Sequence, residues 1–538
     1  MVTLCFPAIF IVFILYKAFT CGSQIPHSLP WVGQNVKGPF KRTRSYIRSI
    51  FGTKAMLEEG YQRYSLHEQA FVLPNLFTGA EILLPPSQID WQSEEHFSGL
   101  EAHNQFMRGD YTLLNPLMCS EHVFEDAIKK HLTRGLDGLL PALAEEVGIA
   151  VSRRAGLSME QWKEVDGFRV WKMIMVQVVS RIYVGKPLCR DEAYLDAAGR
   201  FNQMVIFNAG IIGAVPELLR PLVAKIILFP DRMRHRAVAK MAGPAIGERL
   251  LQVQRIAESE KVPDYSQLPN DLLSWAAVDA VESVHTHPEK SSVNFLAQRL
   301  SVMNFVSTDS TTITLGNMLF DMLLAPLASG QTPLVQRVQA ELEAAHSHYL
   351  ATADSDPAAA KTFIDSLPLL DACLKESFRL RNFISRGLVK TATSRSHEVA
   401  VPGVGVVPAG VKIGIPVWGI HHDESRYEDA RTWRCERWLD DNGPAQNTPV
   451  TGGGLAHTTR AYMPFGFKRT ACPGRFYATR LVKLILAYFL LNYDIKLAGK
   501  TPPVHYWWGI SVSPPRDANL LIRRRTQPDG APFLGLRA

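Results

Sequence analysis

Cys472 is the residue of this chain best placed to do chemistry. It lies in Pro464-Phe465-Gly466-Phe467-Lys468-Arg469-Thr470-Ala471-Cys472-Pro473-Gly474-Arg475, a turn that runs directly into a long helical pattern. Pro473 suits the first helical position, because its fixed φ fits and its missing N–H is not needed there. Gly474 leaves room for a close neighbour. The pattern predicts a thiolate at a helix N-terminus, where backbone N–H groups and the dipole favour negative charge. A thiolate presented this way is suited to ligating a haem iron. The bland alternative is a buried, inert cysteine.

Three other segments carry candidate chemistry. Glu376-Ser377-Phe378-Arg379 lies inside the apolar-periodic run Leu367 to Leu380. A spacing of three puts Glu376 and Arg379 on one helix face, where they can pair. Alone, such a motif reads as a solvated helix pair. Arg434-Cys435-Glu436-Arg437-Trp438 follows Ile420-His421-His422-Asp423. Asn304-Phe305-Val306-Ser307-Thr308-Asp309-Ser310-Thr311-Thr312 lies inside the apolar stretch Phe295 to Leu324. Hydroxyl-rich helix interiors are locally unfavourable, so this cluster suggests a polar role; back-bonded Ser and Thr in a core helix is the other reading.

Together these segments resemble the signatures of the cytochrome P450 family, in the family's order. Phe465, Gly466, Cys472 and Gly474 match its haem-binding loop, with Arg469 three residues before the cysteine. Two positions depart from it. Lys468 stands where the family usually has a second glycine, and lysine tolerates positive φ poorly. The loop must therefore carry strain or adopt a variant turn. Thr470 stands where many members place a basic residue for a haem propionate, so the resemblance passes that charge to Arg469 or Lys468. The resemblance also implies a buried Glu376–Arg379–Arg437 cluster behind the haem, and proton relay by Asp309 and Ser310 with Thr311 in reserve. Lys129, on an early helix expected over His122 to Leu136, is the candidate for the second propionate; a solvated basic face is the other reading.

The fold class expected is the cytochrome P450 fold, mainly α with small β-sheet lobes. The element order agrees: a hairpin over Ala70–Leu73 and Glu81–Leu84, helical periodicity from Glu121 to about Leu350 with a break at Glu258–Pro269, short strands over Val389–Val417, a helix over Gly474–Tyr493 and a last hairpin over Val504–Ile522. The 538 residues have an ordinary hydrophobic share of 46% and a formal charge of +7. The basic residues are not gathered into a stripe, which excludes a nucleic-acid partner. Seven scattered cysteines argue against a disulfide framework and for a reducing compartment.

Leu4 to Tyr16 is apolar, and Lys17, Lys37, Lys41, Arg42, Arg44 and Arg48 follow it. The charge asymmetry predicts a transmembrane anchor over residues 1–21 with the body in the cytosol. A cleaved signal peptide is the rival. Residues 22–39, with Pro26, Pro30, Pro39, Gly33 and Gly38, read as a hinge, and 40–538 as one catalytic domain. Phe201 to Phe229 is apolar and reads either as a patch that dips into membrane lipid or as ordinary core.

The resemblance implies a monooxygenase. Haem b held by Cys472 would activate O2 with electrons from NADPH, delivered by NADPH-cytochrome P450 reductase at the endoplasmic reticulum membrane. The substrate would be a hydrophobic small molecule, and Phe305, Val306, Phe383, Ile384 and Trp508-Gly509-Ile510 are candidate pocket walls. Ile420-His421-His422-Asp423, Ala471–Phe476 and Leu491-Asn492-Tyr493-Asp494 resemble fungal secondary-metabolism members, which points to a terpenoid-like scaffold. Two alternatives stay open: a same-fold isomerase or dehydratase needing no external electrons, and a non-catalytic haem-binding protein.

Overall fold

Among the described residues, eight long helices form the scaffold: Lys41–Arg63, Leu136–Ala155, Gly167–Tyr183, Phe229–Ser259, Val293–Leu324, Leu334–Thr352, Pro368–Leu380 and Arg475–Asn492. The computed structural model describes residues 24–34, 40–76, 78–93, 96–120, 127–201, 204–259, 262–326, 330–356, 358–393, 398–439, 454–499 and 501–525. The predicted anchor lies outside the described residues, as does much of the hinge. Among the described residues no helix is long and apolar enough to cross a membrane.

Local chemistry starts several helices where the structure places them. The Ser292 hydroxyl accepts from the Phe295 amide at 3.2 Å and opens the 32-residue helix Val293–Leu324. Asp166 caps Gly167–Tyr183 by accepting from the Phe168 and Arg169 amides at 3.0 and 2.8 Å. Each cap satisfies backbone donors that a helix start leaves without partners. Pro368 sits in the first turn of Pro368–Leu380, where its missing N–H costs nothing. The first residues of the helix expected over His122–Leu136 lie outside the described residues; Ile128–Thr133 forms a π-helix and the α-helix begins at Leu136.

The strands, in chain order, are β1 (Phe71–Leu73), β2 (Glu81–Leu83), β3 (Phe97–Ser98), β4 (Lys163–Asp166), β5 (Gly387–Ala392), β6 (Glu398–Val401), β7 (Gly405–Pro408), β8 (Lys412–Ile415), β9 (Tyr493–Leu497), β10 (Tyr506–Trp508), β11 (Ser511–Ser513) and β12 (Asn519–Arg524). The first sheet runs β1-β2-β8-β5-β3, so the expected hairpin β1–β2 is extended by strands from far along the chain. The expected last hairpin is shorter than its apolar pattern. β10 and β11 pair with each other, whereas β12 lies between β4 and β9 in a separate sheet.

Among the described residues, two large apolar cores result, beside smaller clusters. The larger is built from the helices, including Gly167–Tyr183, Val293–Leu324 and Arg475–Asn492. The smaller lies under the first sheet and includes Val72, Ile82, Ile89, Ile413 and Met463. The cysteine loop joins them: Phe465 packs on the helical core and Phe467 on the sheet core.

Candidate functional site

The cysteine loop is tightly folded. The Cys472 amide donates to the Phe465 carbonyl at 2.7 Å, closing the turn across its neck. Gly466 has φ +84°, and a Cβ there would lie 2.9 Å from the Thr470 carbonyl oxygen, so glycine is required. Lys468, standing where a second glycine is expected, is left-handed too, with φ +51°. The turn is therefore kept and the lysine carries the strain. Its ammonium turns to Asp90, 2.6 Å from Oδ1. Thr470 Oγ1 donates to the Phe467 carbonyl at 2.8 Å, and Arg469 is exposed.

The helix after the loop begins at Arg475, with Gly474 as its cap. Pro473 thus precedes the cap and does not occupy the expected first helical position. The Cys472 carbonyl accepts from the Arg475 side chain at 2.9 Å and from its amide at 3.4 Å, and this turn delays the helix start. The helix end still acts on the sulfur. Burial raises the Cys472 thiol pKa above its ordinary value, opposed by the Gly474 amide and by the charge and amide of Arg475. Yet the side chain is exposed. The sulfur is thus reachable by solvent while the surrounding protein still disfavours its charged form.

The long helix Val293–Leu324 is partly open in its middle. Most of it is buried, but mid-helix Val306 is 42% exposed, and Ser310, one turn on, is only half-buried. Ser310 Oγ lies 3.5 Å from the Val306 carbonyl, Thr311 Oγ1 donates to Ser307 at 2.8 Å and Thr312 Oγ1 to Thr308 at 2.8 Å. Back-bonding thus accounts for part of the hydroxyl cluster. Ser307 Oγ shares a hydrogen bond with the Tyr183 hydroxyl. Asp309 points elsewhere: its Oδ1 lies 3.5 Å from Nζ of Lys172, on the facing helix Gly167–Tyr183. Burial raises the Asp309 pKa, and the charges of Lys172 and Arg516 oppose that rise. Lys172 carries no recognisable pattern in the sequence.

Glu376, Arg379 and Arg437 meet in one buried cluster. Glu376 Oε1 accepts from Arg379 Nη2 at 2.7 Å, Arg437 Nε at 3.0 Å and the Arg434 amide at 3.0 Å. Oε2 accepts from Arg379 Nε at 3.0 Å and Trp438 Nε1 at 2.9 Å. Arg379 also donates to the carbonyls of His421 and Ala430. Glu376 and Arg379 are fully buried, so only this complete set of partners makes their charges tolerable. Phe378 links the cluster to the loop, stacking edge-on against Phe465 with centroids 4.8 Å apart. Trp438 stood within the quoted motif, but its bond to Glu376 is visible only in three dimensions.

The remaining expected residues are dispersed. Lys129 is exposed on the π-helix. That segment does reach the loop, through Thr133 Oγ1, 3.4 Å from the Pro473 carbonyl. Ser385, just after Phe383 and Ile384, donates through its amide and hydroxyl to the Ile510 carbonyl at 2.9 and 2.7 Å. This ties two candidate pocket walls together.

The residues fit a haem. An exposed thiol is acted on by helix-end amides, and an apolar helix carries an exposed valine in its middle. Cationic side chains border the loop.

The cytochrome P450 family profile matches residues 127–521. Cytochrome P450 monooxygenase efuH of Hormonema carpetanum is 29% identical over 520 residues, covering 94% of this chain and 89% of that protein. Cytochrome P450 monooxygenase polB of Polytolypa hystricis is 28% identical over 514 residues, covering 93% of this chain and 94% of that protein. The crystal structure of the cytochrome P450DA haem domain aligns with a TM-score of 0.62 at 15% identity, covering 93% of this chain and 98% of that one. That last likeness speaks for the fold, and the profile for descent. The chain belongs to the cytochrome P450 family, as a monooxygenase of the fungal secondary-metabolism type whose cofactor is haem b.

Proposed function

We propose that this protein oxidises a hydrophobic secondary-metabolite scaffold, terpenoid in character, with electrons passed from NADPH by NADPH-cytochrome P450 reductase. The observation that carries this reading is the exposed Cys472 sulfur, influenced by the amides of Gly474 and Arg475. Haem held by a thiolate supplies dioxygen activation when bound. The chain's own residues do the rest. Cys472 would hold the haem iron. Arg469 and Lys129 are assigned to the propionates, since Lys468 is engaged by Asp90. Asp309 holds a proton in reserve and Ser310, on the open face, passes it on; Thr311 stands behind them. Phe305, Val306, Phe383, Ile384 and Ile510 exclude water and orient an apolar substrate.

We place the protein at the endoplasmic reticulum membrane, anchored by residues 1–21 with the catalytic domain cytosolic. Leu218, Leu222, Ile226 and Phe229 are exposed by 91, 61, 56 and 60%, an apolar surface that suits contact with lipid.

The test is co-expression with the reductase in yeast fed terpenoid and polyketide precursors, with products read by mass spectrometry. The reading expects oxygenated products that require NADPH and reductase. Rearranged products formed without either would favour the isomerase class. Release of the protein by carbonate wash would contradict the anchor.

A further inference from the structure

Lys468 occupies a backbone conformation that disfavours its side chain, and it does so four residues before Cys472. Its carbonyl accepts from the Ala471 amide at 3.2 Å, so its conformation sets where the chain enters Cys472. The loop's own backbone hydrogen bonds hold that conformation, and a contact from outside the loop can add to them.

Asp90 is placed to do so. It lies in the turn Pro86–Ser93, whose Ile89 is buried in the sheet core. One carboxylate oxygen meets Lys468 and the other Arg460, so the loop and the segment that enters it are tied to one anchored group. Lys468 also lies over the Phe467 ring, 5.4 Å from its centroid.

We propose that Asp90 is a positioning residue for the Cys472 loop: a two-cation latch that holds Lys468 left-handed and thereby fixes the thiolate. This rests on Cys472 being the haem ligand. The three side chains are about half exposed, with fractions of 43, 52 and 58% for Asp90, Lys468 and Arg460. Such pairs weaken with salt, so the latch is ionic-strength dependent. Glycine at 468 would need no latch, because it adopts positive φ without strain.

The test uses the full-length, haem-loaded protein and reads the ferrous carbon monoxide spectrum as the ratio of thiolate-type to blue-shifted band. In the native protein the blue-shifted fraction should rise with salt. Asp90→Asn should raise it about two- to fivefold at low salt and remove the salt dependence. Adding Lys468→Gly to Asp90→Asn should restore the native ratio. An Asp90→Asn spectrum equal to the native one at every salt concentration would overturn the proposal, as would failure of Lys468→Gly to rescue. Should Asp90→Asn not fold, Lys468→Gly alone decides: it should be insensitive to salt, and native-like salt dependence would overturn the latch. A native protein with no thiolate-type band at all would instead sink the haem-thiolate reading.

Discussion

Lys172 Nζ lies 3.5 Å from Asp309 Oδ1, across the interface between two helices. The acid expected to work with Ser310 is thus held by a cation outside its own helix. The lysine is 8% exposed, so the pair is poorly screened.

Asp309→Ala is expected to slow turnover by about 100-fold, the scale of one positioned proton donor, and to divert reducing equivalents to peroxide. Product and peroxide measured per NADPH check this; native coupling would remove Asp309 from the relay.

Lys172→Met should act through Asp309. Burial already raises that carboxyl's pKa and Lys172 opposes the rise. Without the lysine, Asp309 stays protonated to higher pH, and the corresponding limb of the pH–rate profile moves upward. An unmoved limb would contradict the coupling.

The Glu376 cluster predicts a graded series. Arg379→Ala leaves a buried carboxylate without its main partner and should cost about 3–5 kcal/mol. Little haem-loaded protein is then expected. Trp438→Phe removes one bond to a charged group, about 1.5–3 kcal/mol, and should load haem but melt earlier. Haem-to-protein ratio and melting temperature measure both. Equal effects would mean the cluster is not the support inferred here.

Asp321 supplies a pH dependence. It is 4% exposed, with Arg381 Nε 3.1 Å from one oxygen. Burial, partly offset by Arg381, raises its pKa from 3.8 to about 6. Between those values the native state keeps a proton that the unfolded chain releases, so stability falls as pH rises through that window. The penalty, about 3 kcal/mol, is complete above about pH 6. Asp321→Asn should melt like the native protein below about pH 4 and higher than it above about pH 6. Parallel melting curves across this range would contradict the sign.

What the sequence revealed was local. The cysteine loop, the Glu376–Arg379 pair and the Asp309 helix are each contiguous, so their spacing was readable. The pairs that hold them are not: Asp90 and Lys468 are 378 residues apart. Lys172 likewise belongs to a separate helix with its own apolar pattern. β4 is mostly exposed and polar, with no alternation to mark it. Its role as partner of β12 was therefore hidden, and Val504–Ile522 read as one hairpin. Pro473 misled by two residues, because the chain turns from Cys472 to Arg475 before the helix begins.

The most direct test is the ferrous carbon monoxide spectrum of the purified native protein beside Cys472→Ala. The account predicts the red-shifted thiolate band in the first and its absence in the second. A native protein without porphyrin absorbance, or a variant that keeps the red-shifted band, would contradict it.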